Sequence, residues 1–324
     1  MTKILGIGNA LVDVLTQLEN DELLASLNLP KGSMQLVDAE KSAEIQELSK
    51  DLEKNMASGG SAANTIHGLA KLGAETAFIG TIGKDKTGDF FHKDLVDNNI
   101  TPHLIISESP SGISNAMISK DGERTFGTFL GAAIELSASS LEAEKFKGSD
   151  IIHVEGYLVQ NHKLLEAILK MAKDNGLKVS IDLASYNVVE DNLEFLHKMV
   201  EKYVDIVFAN EEEATAFTGL EPKQALESIS KVCDIAIVKI GGDGSMIKQG
   251  DQITIVPVEK IAPIDTTGAG DLYAAGFLYG LSVNFDHYKS GRIGSLLAST
   301  VIKNIGAKIS NKNWDIIRNE IKSY

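Results

Sequence analysis

Six short, almost uninterrupted apolar runs constrain this chain more than any other feature. They are ILGIG from Ile4, TAFIGTIG from Thr76, DIIHVEG from Asp150, LKVSIDL from Leu177, DIVFAN from Asp205 and DIAIVKIGG from Asp234. A strand that is apolar on both faces must be covered on both, which is the condition inside a parallel sheet. Stretches with helical spacing lie between the runs. In HKLLEAILKMAKDNG, Leu164, Leu165, Ile168 and Met171 share one helical face, and Gly176 supplies a stop. EEEATAFTGL reads as a second such helix. Strand–helix alternation of this kind predicts an α/β fold with helices on both faces of a mostly parallel sheet. The 324 residues suffice for one such core plus an appendage.

Two segments break the rhythm, at about residues 11–38 and 103–131. In the second, SNAMIS and RTFGTFL flank Lys120-Asp121-Gly122-Glu123. Asp-Gly between alternating runs signals a hairpin, with positive φ expected at both central residues of a type I′ turn. A small antiparallel β insert on an α/β core is a candidate lid. There is no internal repeat or low-complexity linker. The expectation is a single catalytic unit over 1–324, with core at about 1–10, 39–102 and 132–324 and lid at about 11–38 and 103–131.

The net charge of −14 argues against nucleic-acid backbones and anionic membranes as partners. Cys233 is the sole cysteine, so no internal disulfide forms, which fits a reducing compartment. No histidine pair has zinc-ligand spacing. The N-terminal apolar run is interrupted by Gly8, Asn9 and Asp13, unlike a signal peptide. No window approaches the ~20 apolar residues of a membrane span. A cytoplasmic location is expected.

Chemistry concentrates in glycine loops. Asp265-Thr266-Thr267-Gly268-Ala269-Gly270-Asp271 opens an apolar helix. Small residues there let the amides of Gly268, Ala269 and Gly270 converge on an anion, with Asp271 placed to accept a hydroxyl proton. The same residues also suit a tight turn in which Asp271 complements the helix dipole. Ser58-Gly59-Gly60-Ser61-Ala62-Ala63-Asn64 is a second loop opening a helix. Its glycines permit close approach, and Asn64 can both donate to and accept from hydroxyls. In GNALVD, Asn9 and Asp13 follow the first strand, where α/β sheets bind ligands. GIGNAL lacks the third glycine of a dinucleotide fingerprint, and the stretch ending Gly83-Lys84-Asp85 is not a P-loop.

Read together, GNALVD, GGSAAN, NEEE and DTTGAGD run in an order that resembles the ribokinase (PfkB) family of sugar and nucleoside kinases, along essentially the whole chain. The resemblance implies a ribokinase-like three-layer α/β/α core, MgATP, and a small-molecule sugar or nucleoside acceptor. It makes Asp271 the catalytic base and Gly268, Ala269 and Gly270 the anion hole. Asn9, Asp13, Gly59, Gly60 and Asn64 match positions that hold substrate hydroxyls. Asn210 and Glu213 match the motif that organises Mg2+ through its waters. Gly241 and Gly244, with Thr266, match ATP-contacting positions, although Lys239 stands where a Thr is usual and is given no role. Asp265 and Thr267 match positions beside a monovalent cation such as K+. ERTFGTFLGAA resembles the adenosine-kinase-like branch, which makes Arg124 a phosphate contact on lid closure and Phe126 part of a cover over a base. Thr128, on the same strand face, is more polar than such a cover requires.

The expected activity is ATP-dependent phosphorylation of a hydroxymethyl group, on adenosine or another nucleoside. A free-sugar kinase of the ribokinase, fructokinase or 2-keto-3-deoxygluconate kinase type is the alternative. A non-catalytic ligand sensor on the same fold is the alternative of a different class. An uncovered lid strand would also be a candidate for pairing with a second copy into a homodimer.

Overall fold

The computed structural model describes residues 2–324. All six apolar runs are strands of one nine-stranded sheet. Its spatial order is Gln252–Val256, Ser245–Gln249, Ile235–Lys239, Ile206–Asn210, Lys178–Asp182, Ile151–Glu155, Lys3–Ile7, Glu75–Gly83 and Ile100–Ser107. From Ile235–Lys239 to Ile100–Ser107 every neighbour is parallel; the two strands at the other edge run antiparallel.

Alternate residues of one strand serve opposite faces. Ile206 and Phe208 pack with the helices Ser61–Leu72, Ala269–Ser282 and His287–Val301. Val207 and Ala209 pack with His162–Asp174, Leu193–Tyr203, Glu211–Thr218 and Pro222–Ile229. The outcome is the expected three-layer α/β/α core. Ala269–Ser282 is buried on almost every side. It crosses its neighbour at glycine: a Cβ on Gly276 would lie 2.6 Å from Gly294 N, so the two backbones touch. That contact fixes where the helix begins, and its beginning is DTTGAGD.

The strand order reverses at Lys3–Ile7, with Glu75–Gly83 on one side and Ile151–Glu155 on the other. The crevice beyond the carboxyl ends at such a reversal is where α/β sheets receive ligands.

A smaller sheet stands beside this end, in the order Met34–Leu36, Arg124–Phe129, Gly112–Ile118, Leu11–Gln17 and Lys54–Gly59. The expected hairpin joins Gly112–Ile118 to Arg124–Phe129 antiparallel. Its turn is not type I′: Gly122 has φ of +86° while Asp121 stays at negative φ, and Ser119 N donates to Glu123 O at 2.8 Å. This is a three-residue loop with glycine in the left-handed position. Leu11–Gln17 runs parallel to Gly112–Ile118, and Met34–Leu36 parallel to Arg124–Phe129, so the sheet is mixed. Its strands also depart from the expected ranges. Lys54–Gly59, expected in the core, pairs here with Leu11–Gln17; Ile100–Ser107, mostly expected in the insert, extends the large sheet beside Glu75–Gly83. KNMASG has too little apolar pattern to announce a strand. One face of this sheet is closed by Leu24, Leu27, Leu29 and Ile45 packed on Met117. The other carries Asp13, Leu15 and Phe126, with Leu15 approaching Gly306 of the core. Among the described residues, no helix is long and apolar enough to cross a membrane.

Candidate active site

Asp271 lies in the first turn of Ala269–Ser282. Its Oδ1 accepts from Ser61 Oγ at 2.7 Å and its Oδ2 from Asn64 Nδ2 at 3.0 Å, so the two glycine loops meet at this carboxylate. Asn64 Oδ1 in turn accepts from Lys308 Nζ at 3.2 Å, which orients the amide. Burial pushes the Asp271 carboxyl up to about 6, against the pull of the Ser61 and Asn64 hydrogen bonds. Burial likewise pushes Lys308 down to about 8. Gly268 caps the helix with φ of +75°, over Ala307. The Ala269 amide donates to Thr266 O at 3.1 Å, which takes it out of the expected trio of anion donors. The Gly268, Gly270 and Asp271 amides have no acceptor among the described residues. They form a donor cluster at a positive helix end.

The second loop is held against the sheet. Gly60 has φ of +95°, and a Cβ there would strike the Asn9 carbonyl. A Cβ on Gly59 would come within 2.5 Å of Asp13 Oδ2, so the half-buried Asp13 lies over a bare backbone. Burial pushes Asp13 up to about 6, and Lys308 pulls it back. Asn9 Nδ2 donates to Glu155 Oε1 at 2.5 Å, across the strand-order reversal. Glu155 Oε2 accepts from Ala62 N at 3.2 Å, and burial pushes this carboxyl up to about 7.

Farther along the strand ends, Asn210 and Glu213 form a reciprocal cap. Asn210 N and Nδ2 donate to Glu213 at 2.7 and 2.8 Å, and Glu213 N donates to Asn210 Oδ1 at 2.8 Å. Beside them Lys239 Nζ donates to Asp182 Oδ2 at 2.9 Å. Burial pushes Glu213 up to about 7, with Asp182 adding to the rise. Burial opposes charge on Lys239, yet Asp182 and Glu213 hold its ammonium above the ordinary lysine value. Gly242 faces open space, a Cβ on Gly241 would stand 3.7 Å from Glu211 Oε2, and Gly244 (φ +100°) packs on the Val256 backbone. Thr266 is exposed.

Arg124 reaches from the small sheet to the loop that precedes Ala269–Ser282. Its Nη1 pairs with Asp265 Oδ1 at 2.6 Å and donates to Thr267 Oγ1, and its guanidinium lies 5.4 Å from the Phe126 ring centroid. Asp265 also accepts from the Thr267 and Gly306 amides, both at 2.6 Å. The two side chains expected beside a monovalent cation therefore hold a guanidinium.

For Mg2+, the informative observation is mutual repulsion. Asp182 raises the pKa of both Glu213 and Asp271, and Asp271 adds to that of Glu213. Three carboxylates at one sheet end suit a dication, but Glu213 already accepts hydrogen bonds on both oxygens. No group of three or more acidic, His or Cys side chains among the described residues is spaced to hold a metal directly. A hydrated ion fits this arrangement.

The structure thus gathers Asn9, Asp13, Gly59, Gly60, Asn64 and Asp271 around one crevice, with Asn210 and Glu213 along the same sheet end. Sequence reading missed Glu155, Asp182 and Lys308. Glu155 and Asp182 did leave a trace, each being a buried acid at the carboxyl end of a mostly buried strand.

A family model described as pfkB family carbohydrate kinase matches residues 31–314. An uncharacterized sugar kinase from Archaeoglobus fulgidus is 28% identical over 252 residues, which cover 74% of this chain and 96% of that protein. Among solved structures, a probable sugar kinase from Rhizobium etli CFN 42 superposes with a TM-score of 0.87 at 31% identity, covering 99% of each chain. Adenosine kinase from Sinorhizobium meliloti superposes with a TM-score of 0.86 at 30% identity, over 98% of this chain and 99% of that one.

Proposed function

Because this chain belongs to the pfkB family of carbohydrate kinases and is a kinase, we propose that its acceptor is a nucleoside, adenosine first, phosphorylated on its hydroxymethyl group with Asp271 as base. The observation that carries this is the meeting of Asp271 with free amides on one side and Asn64 and Ser61 on the other. A family relative at 30% identity named as an adenosine kinase supports the acceptor. So does the small sheet's inner face. In register with Asp13, Leu15 and Phe126 lie Met34 and Leu36, 60% and 65% exposed. Apolar side chains left exposed on a face that looks into a polar crevice suit a flat nucleobase.

In this reading Asp13 and Asn9 hold the sugar hydroxyls, and the small sheet acts as a lid that excludes competing water. Asp271 takes the proton as the hydroxyl oxygen bonds to the γ-phosphorus; the bond to the bridging oxygen breaks and ADP leaves. The Gly268 and Gly270 amides stabilise the charge that develops. Bound Mg2+ would neutralise phosphate charge, held through water by Asn210 and Glu213. Arg124 would exchange Asp265 for phosphate when the acceptor binds.

A free sugar is the second reading, favoured by one observation: Ser114 and Thr128 put two hydroxyls on the same inner face. An ADP-release assay with MgATP against adenosine, inosine, ribose and fructose decides. Turnover with adenosine, absent in Asp271→Asn, supports the proposal; turnover with ribose or fructose alone overturns the nucleoside assignment. The edge strand Met34–Leu36 leaves room for pairing with a second copy, and a monomer by light scattering would remove that idea.

A further inference from the structure

We propose that Lys239 is a phosphate-contacting catalytic residue, whose ammonium receives the terminal phosphoryl oxygens of the nucleotide at the mouth of the anion loop. The proposal rests on the reading of this crevice as a nucleotide site and adds a residue to it.

Three observations carry it. First, Lys239 closes the strand Ile235–Lys239, so its side chain emerges at the carboxyl end of the sheet, where the crevice lies. A Cβ on Gly270 would stand 3.1 Å from Lys239 Nζ, with no other heavy atom within 4 Å apart from the glycine's own surroundings. The ammonium therefore lies against the loop whose amides are free. Secondly, Lys239 is under-satisfied. An ammonium has three N–H donors, and among the described residues Lys239 Nζ donates only to Asp182. Its side chain is 14% exposed, which leaves little room for bulk water to serve the other two. A buried cation with unused donors is costly unless a ligand completes it. Thirdly, its position is set. Asp182 Oδ2 takes the lysine while Asp182 Oδ1 accepts from Ala184 N at 3.1 Å. Ala184 has φ of +70°, a conformation that costs an alanine about 1 kcal/mol and here supplies that donor. A lysine serving only as a structural ion-pair partner would not need to face the glycine loop.

The chemistry is electrostatic. Lys239 remains protonated throughout; it neither gives nor takes a proton. Its charge opposes the negative charge shared by the phosphoryl oxygens, and charge-assisted hydrogen bonds to phosphate are among the strong ones.

The test is equilibrium titration calorimetry with MgADP and with the Mg2+ complex of AMP-PNP, which differ in the terminal phosphoryl group. Lys239→Met should lower the AMP-PNP to ADP affinity ratio by about tenfold or more, the scale of one lost charge-assisted contact. Removing the lysine alone strands Asp182, so Asp182→Asn/Lys239→Met, which removes both members of the ion pair, is measured alongside. Both should fold by circular dichroism and both should lose the ratio. A wild-type ratio retained in either folded variant overturns the proposal, and so does an equal loss of both nucleotides. The titration needs no acceptor. A wild type silent towards adenosine therefore refutes the acceptor assignment alone, whereas adenosine turnover with an unchanged nucleotide ratio refutes the role of Lys239 alone.

Discussion

Gly268→Ala should abolish most turnover while the protein stays folded, and the structure sets the size of the effect. Gly268 has φ of +75°, and its Cβ would stand 2.6 Å from Ala307 Cβ and 3.0 Å from Ala307 Cα. The left-handed conformation costs alanine about 1 kcal/mol, and overpacking of this kind adds about 1–3 kcal/mol. A penalty of about 2–4 kcal/mol is within reach of a domain stable by about 5–15 kcal/mol. Ala307 belongs to the backbone beneath the loop, and the helix from Ala269 is held along its length, so the loop itself must yield. Restoring an ordinary contact requires a shift of about 1 Å, and a misplacement of that size costs about 10²-fold in rate. It would move the Gly268 and Gly270 amides and Asp271 together. ADP release at saturating substrate gives kcat, and thermal unfolding gives the stability loss. A variant with kcat within about twofold of wild type would refute the claim that this turn sets the catalytic geometry.

Arg124→Gln leaves Asp265 with its two amide donors but no cation; chemical denaturation should show a loss of at most about 3 kcal/mol, the low end for breaking a buried pair. Cys233 is pushed up to about 12 by burial, with Asp234 adding to the rise, so it carries almost no thiolate at neutral pH. Iodoacetamide at pH 7.5 should leave it unmodified by mass spectrometry until the protein is unfolded. Glu155 is raised from 4.5 to about 7, so its protonated form is favoured by folding. That contribution is complete below about pH 4.5 and is lost as the pH rises through about 7. The fall in Tm between pH 5 and pH 8 should shrink in Glu155→Gln.

The core was legible because its signal is local. Ile206–Asn210 and its parallel neighbours need apolar side chains on both faces, and runs of strand length between helical stretches carry that need in the sequence. Asp271, Asn64 and Gly60 were legible for a related reason: glycine loops that open helices declare close backbone approach, and here Gly60 touches the Asn9 carbonyl. Lys54–Gly59 was not legible, since only its last residues are buried and two helices and a strand separate it from its partner Leu11–Gln17. The contacts of Glu155 with Asn9, and of Lys239 with Asp182, join residues 146 and 57 apart in sequence. Such pairs exist only once the strand order brings the carboxyl ends together, and period and composition do not encode strand order. Arg124 was read as a phosphate ligand; its engagement with Asp265 depends on how the small sheet leans on the core, which no local pattern records.

The central claim is that Asp271 is the base, and the most direct measurement is the pH dependence of kcat/KM for phosphoryl transfer, wild type against Asp271→Asn. A carboxyl pushed up to about 6 is active as the carboxylate. The rate should therefore be full above about pH 7 and fall by about tenfold per unit below pH 6, where Asp271 protonates. Asp13, Glu155 and Glu213 titrate nearby and share that limb, so the variant isolates Asp271. Asp271→Asn should lose about 10²–10⁴-fold in kcat at pH 7.5, with nucleotide affinity retained. An Asn variant that turns over at near the wild-type rate, or an acidic limb of the same midpoint and height in both proteins, would contradict the account.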